Sequence, residues 1–136
     1  MTSHIEVAER LGDAWGSRDA DGVAGIFQPA GIRQEWALPG AVLRGREEIS
    51  RHVRRYMEAV PDCTLLIRGA FADEDRLTVE WTFAGTQTGD LPGLPARGQP
   101  VELPGVSVCE VTDGLLVRES VYWDAATLLV AAGVLA

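Results

Sequence analysis

Asp124 stands where an aromatic pair, Tyr122-Trp123, meets an apolar segment that stops at Gly133. A carboxyl at the end of a strand can take a proton and give it back, provided an apolar surround lifts its pKa toward working pH. The same carboxyl can instead cap a helix predicted over 125–132, and a helix N-terminus holds it ionised. Period-two alternation puts Tyr122 and Asp124 on one strand face and Trp123 on the other. All three reach one cavity only where the strand ends or bulges. His52 is the second candidate for proton transfer. It lies on or beside a helix face marked by Ile49, Val53, Tyr56 and Val60, one turn before Tyr56. A satisfied core histidine is the plainer reading of it.

The elements that must position these groups follow from pattern. Ser3 and Glu6 have capping-box spacing, and Ala8, Leu11 and Trp15 recur at helical spacing, so a first helix is predicted over 4–17. Trp15 on its buried face is either core or pocket wall. Asp19 or Asp21 caps a short second helix carrying Val23, Ile26 and Phe27, ended by Pro29. Ile32, Gln34 and Trp36 alternate with Arg33, Glu35 and Ala37, which reads as a strand. Its apolar members suggest that Ile32, Gln34 and Trp36 face inward, with Gln34 a polar anchor and Glu35 outward. A third helix opens at Gly45-Arg46-Glu47, its acidic first turn suiting the helix dipole.

Beyond Pro61-Asp62 the chain turns β-rich. Strands are predicted over 64–70, 77–84 and 101–111, with Leu77, Val79, Trp81 and Phe83 on one face of the second. The stretch 85–100, rich in glycine and proline, reads as a long loop that could rim a pocket. Asp113-Gly114 signals a hairpin into the last strand. Helices segregated from such strands imply an α+β fold, in which a strongly curved antiparallel sheet wraps the N-terminal helices and leaves a cone with an apolar interior. Trp15, Trp36, Trp81 and Phe83 are its expected walls, and Tyr56 and Tyr122 further candidate contacts.

The 136 residues suit a single domain over 1–136, and a hydrophobic share of 46% excludes disorder. A net charge of −8 argues against nucleic acid or an anionic membrane as partner. The arginines at 44, 46, 51, 54 and 55 are interrupted by Glu47, Glu48 and Glu58, as on a solvated helix face. Cys63 and Cys109 follow no metal-ligand spacing. The polar N-terminus is unlike a secretory signal, and no apolar run approaches the ~20 residues of a membrane span. A cytoplasmic protein with reduced thiols is the expectation.

An ordered set of features runs through nearly the whole chain: Trp15 before Arg18-Asp19, Gly45-Arg46-Glu47, Pro61-Asp62, Trp81 through Gly89, Arg97-Gly98, Val111 through Gly114, and Tyr122-Trp123-Asp124 before Leu128 and Gly133. In these the sequence resembles the SnoaL-like polyketide cyclases, a branch of the nuclear transport factor two-like superfamily that includes ketosteroid isomerases. The resemblance implies a cone-shaped α+β barrel, a homodimer formed through the outer sheet face, and no metal or cofactor. It also implies a small apolar or polycyclic substrate, closed into a ring by an intramolecular aldol step with the Asp at position 124 as general acid and base. Gln87 stands where relatives commonly have His, and Ala96 where Thr is common. Against the ketosteroid isomerases, Leu11 stands near a catalytic Tyr, Trp36 near the base and Ser107 near the second acid, which argues against that chemistry; Trp123 matches a pocket aromatic. Two alternatives stay open. One is an epoxide-opening hydrolase or cyclase, which needs paired carboxylates, that is Glu35, Glu80 or Glu110 beside Asp124 in the cavity. The other is a non-catalytic ligand-binding module.

Overall fold

Short-range signals set the helices. The computed structural model describes residues 3–37 and 40–135; Met1 and Thr2, part of the N-terminus read above, lie outside them. Helix α1 (His4–Gly16) is capped by Ser3, whose Oγ accepts from the Glu6 N–H at 3.2 Å. It buries Val7, Ala8, Leu11 and Trp15, one stripe at helical spacing. Helix α2 (Ala20–Ala24) is capped by Asp19, which accepts from the Gly22 N–H at 2.9 Å. Pro29 does not end this helix. It lies within strand β1 (Phe27–Glu35), where pairing is irregular between Phe27 and Ile32 and no ladder donor is needed. Strand β2 (Ala41–Arg44) leads into α3 (Gly45–Ala59), which buries Ile49, Val53 and Met57 and leaves the arginine-rich face in water.

The strands β3 (Thr64–Asp73), β4 (Arg76–Gln87) and β5 (Gln99–Thr112) are longer than their local patterns predicted, and β6 (Leu115–Trp123) runs from the Asp113-Gly114 turn to the aromatic pair. The connection between β4 and β5 is correspondingly shorter, 88–98. Asp113 and Gly114 both take positive φ, +54° and +73°, as a tight turn between right-twisted strands requires. A short helix α4 (Ala125–Ala131) closes the chain.

One six-stranded sheet results, in the order β2-β1-β6-β5-β4-β3. Its pairs are antiparallel apart from β1 with β6, which run parallel. The long excursion through α3 and four strands is what permits a parallel return. Register shifts at Ile67/Gly69 and Glu110/Val111 bend β3 and β5. The sheet curves over α1 and α3, and their apolar stripes meet Leu77, Val79 and Leu116 in the core. No helix among the described residues is long and apolar enough to cross a membrane.

Candidate active site

The site begins with a one-residue question of register, because a slip by one turns every side chain of a strand to the other face. In β1 the inward residues are Arg33 and Glu35, 5% and 3% exposed. Gln34 and Trp36 point out. This corrects the expectation that Ile32, Gln34 and Trp36 face the cavity and Glu35 the water. Outside, Gln34 accepts from Arg118, and Trp36 (54% exposed) stacks on Tyr122 at 6.0 Å between ring centres. Neither Trp36 nor Tyr122 is a pocket wall.

Arg33 lies opposite Glu119 in the β1–β6 pairing. Its Nη1 donates to Glu119 Oε1 at 2.6 Å, and its Nη2 lies 3.5 Å from Glu35 Oε2. Glu119 Oε2 accepts from Ser107 Oγ at 2.7 Å, and Ser107 Oγ accepts from Trp81 Nε1 at 3.0 Å. Glu35 Oε1 accepts from Trp123 Nε1, and its Oε2 lies 3.4 Å from His52 Nε2. The indole of Trp81 can lie across β5 because Gly105 is there: a Cβ at that position would come within 2.2 Å of the ring.

These charged groups sit in a cavity whose other walls are apolar. Trp15 and Phe83 meet edge to face at 5.8 Å, and Leu11, Val79 and Leu103 add aliphatic surface. Trp15, Tyr56, Trp81, Phe83, Ser107 and Trp123, all expected from sequence, line this cavity. The guanidinium carbon of Arg33 lies 5.7 Å from the Trp15 ring centre. His52 is half-buried at the edge, with its ring against Tyr56 and its Nε2 toward Glu35. Sequence reasoning missed Arg33 and Glu119. A signal for Glu119 was present: Glu119, Val121 and Trp123 share a face by period two, and Trp123 was already a candidate.

Electrostatics separates the members. Burial raises the Glu35 carboxyl, but the His52 contact, the Arg33 guanidinium and the Trp123 N–H outweigh it and leave it below the usual glutamate range. Burial opposes the charge on Arg33 too, and Glu119 and Glu35 more than restore it. Burial and the charge of Glu35 push the Tyr56 phenol upward, so it stays neutral. Cys63 and Cys109 are free, buried thiols, both pushed up by burial.

Asp124 is elsewhere. It is exposed, does not line the cavity, and caps α4 by accepting from the Thr127 N–H at 3.1 Å and the Thr127 hydroxyl at 2.6 Å. Those two bonds hold its carboxyl below the usual aspartate range. The expected desolvated, up-shifted carboxyl is therefore corrected to a solvated cap. A folded pKa below the unfolded one stabilises the fold above the unfolded pKa, an effect lost as pH falls through the folded value. Asp124→Asn, which keeps an acceptor, should retain both fold and turnover. Asp124→Ala should melt at a lower temperature at neutral pH, with the difference closing in acid; melting curves at several pH values check this.

Gln87 explains its departure from the common His. It is fully buried, and its amide donates to Gly89 O at 3.1 Å and Leu94 O at 2.9 Å while accepting from Gln99 Nε2 at 2.9 Å. It ties 88–98 down over the cavity, where Leu91 joins the wall. Glu80 is exposed and Glu110 half-buried, both outside that lining.

A family model described as SnoaL-like polyketide cyclase matches residues 5–131. No curated protein matches the sequence. Among solved structures the chain is similar to a candidate SnoaL-like polyketide cyclase from Jannaschia sp. CCS1, with 21% identity over 98% of this chain and 93% of that one and a TM-score of 0.85. IdmH of Streptomyces antibioticus, a candidate polyketide cyclase, is 21% identical over 97% and 99%, with a TM-score of 0.82. A hypothetical protein with a ketosteroid isomerase-like fold from Catenulispora acidiphila, solved with trimethylamine, is 21% identical over 96% and 94%, also with a TM-score of 0.82. At such identities the likeness shows a shared α+β fold.

Proposed function

We propose that this chain, which belongs to the SnoaL-like polyketide cyclase family, uses Glu35 as the proton-transfer group for an aldol-type ring closure of an apolar, polyketide-like carbonyl substrate. The observation that carries the reading is a buried carboxylate, Glu35, in the wall of an otherwise apolar cavity. Glu119 is the less suited of the two acids, since both its oxygens are held, by Arg33 and by Ser107. Glu35 Oε2 has only contacts of 3.4 and 3.5 Å. In the proposed reaction Glu35 removes a proton beside one carbonyl. The resulting enolate carbon attacks a second carbonyl of the same molecule, a carbon–carbon bond forms, and the new alkoxide takes the proton back. Apolar walls suit the substrate's rings and exclude water. His52 stands between Glu35 and the edge of the fold as a proton-exchange partner.

The test is exchange of the carbon-bound proton beside the carbonyl of a bicyclic ketone such as α-tetralone in heavy water, followed by NMR. Exchange above the buffer rate that vanishes in Glu35→Gln and survives in Asp124→Asn supports the assignment. Equal exchange in wild type and Glu35→Gln sinks it. A second reading, epoxide opening, is favoured by one observation: Glu35 and Glu119 flank Arg33, as a pair of carboxyls would if one protonated the ring oxygen and the other activated water. Incorporation of oxygen from heavy-oxygen water into a diol would select it.

The outer sheet face exposes Trp36, Leu66, Val108 and Tyr122, apolar surface that supports a homodimer. Light scattering should give twice the chain mass for wild type and the single-chain mass for Leu66→Asp with Val108→Asp; a monomeric wild type removes the dimer.

A further inference from the structure

Every residue that lines the cavity is buried or half-buried, and none is exposed. A ligand therefore finds no open way in, and some part of the wall must move to admit it. Most of the wall is held along its whole length. The sheet side is tied by the ladders that join β3, β4, β5, β6 and β1, and the helix side belongs to α1 and α3, whose apolar stripes form the core. The connection 88–98, which contributes Leu91, is pinned only at points. At its start the Thr88 and Gly89 N–H groups both donate to Ala59 O, at 2.8 and 3.1 Å. That carbonyl is in the last turn of α3, where no helical N–H remains to use it. In its middle the Leu91 N–H donates to Leu94 O at 3.1 Å and the Leu94 N–H to Leu91 O at 2.8 Å. At its end the Gly98 N–H donates to Gln87 O at 3.0 Å, and Arg97 lies so close over Gly133 that a Cβ would find no room there. Leu91 has the cavity on one side. On the other is a surface groove formed by Arg55, Glu58, Gly89 and Pro92, and Leu91 is the one residue common to both linings.

We propose that residues 88–98 are a lid that opens at its seam with α3, and that Leu91 is the plug an apolar ligand displaces on its way to the cavity. The lid turns on its β5 end, where Gly98 takes φ +68°, a conformation open to glycine. Opening releases the two bonds to Ala59 O and brings the apolar side chains of Leu91 and Leu94 into water. Both losses are local, so the cost is a fraction of that of unfolding. Closing returns the leucines to the core, which makes the closed form the resting one. The assignment goes beyond the chemistry proposed above, because it concerns how the cavity is reached and holds whatever reaction follows.

The seam can be locked. A Cβ at Gly89 would lie 3.7 Å from that of Ala59, the span of a disulfide. Ala59→Cys with Gly89→Cys, oxidised, therefore staples the lid to α3, and dithiothreitol frees it. Binding of α-tetralone is followed by stopped-flow quenching of tryptophan fluorescence, since Trp15, Trp81 and Trp123 line the cavity. The staple should slow association about tenfold or more, and reduction should restore the rate. Gly89→Cys alone gives the effect of the added side chain. Leu91→Ala removes the plug and should speed association and dissociation together. A leucine that is only wall would change dissociation alone. Hydrogen exchange of wild type gives an answer without a ligand or a cross-link. The amides of Thr88, Gly89, Leu91 and Leu94 should exchange together, and faster than those in the middle of β4 and β5. A stapled protein that binds at the wild-type rate, Leu91→Ala with unchanged association, or lid amides as protected as the strands overturns the proposal.

Discussion

Glu35→Gln is expected to slow turnover by about 10²–10⁴-fold, the usual contribution of a positioned acid or base, while leaving the fold intact. The substitution is nearly isosteric. Its amide oxygen can still accept from Trp123, so the cavity keeps its shape, while the ionisable oxygen that faced His52 and Arg33 is lost. The pH profile makes the expectation sharper. The Glu35 carboxyl lies below the ordinary glutamate range, because His52, Arg33 and Trp123 together outweigh its burial. The group is therefore ionised throughout the neutral range, and the rising limb of kcat/KM should fall below the ~4.3 of a free glutamate. Such a base is weak by intrinsic basicity and gains by placement, ready-ionised and dry, beside the reacting carbon. A rising limb centred near neutrality, or a Gln variant within a few-fold of wild type, would count against Glu35.

The helices and the walls of the cavity were legible because their signals are local. Ser3 and Asp19 cap as their spacing suggests, and Asp113-Gly114 turns the last hairpin. Trp81 and Phe83 face inward by simple alternation along β4. The charged heart of the site was not legible, and the reason is physical. A rule that sends apolar residues inward selects Ile32 of β1 and Trp36 just past its end. The chain does the reverse there, since Arg33 finds Glu119 on a strand 86 residues further on. Charges go inside when they satisfy each other, and that pairing is invisible in either segment alone. The outer face keeps the aromatic residues instead. Asp124 shows the complement: the local signal, an acidic residue before an apolar helix, was a cap signal, and a cap is what it is.

Arg33→Met should cost about 3–5 kcal/mol at neutral pH, because it leaves carboxylates buried without their counter-ion. The methionine fills much of the same space, so packing loss is a minor share. Chemical denaturation of both proteins measures the difference, and its pH dependence identifies the cause. In wild type the folded pKa of Glu35 is depressed. Its contribution is present above the unfolded value near ~4.3 and fades as pH falls through the folded one. Without the guanidinium one of the groups that offset burial is gone, so the folded pKa moves upward from its wild-type position. With less depression the variant gains less stability above the unfolded value than wild type does, so the gap between the two proteins should be widest near neutrality and narrow as pH falls below ~4. Adding Glu35→Gln and Glu119→Gln to Arg33→Met should then recover most of the loss, since apolar and neutral groups no longer strand a charge. A deficit that ignores pH, or a triple variant no more stable than the single one, would mean that Arg33 matters through its packing on Trp15 rather than through the charges it holds.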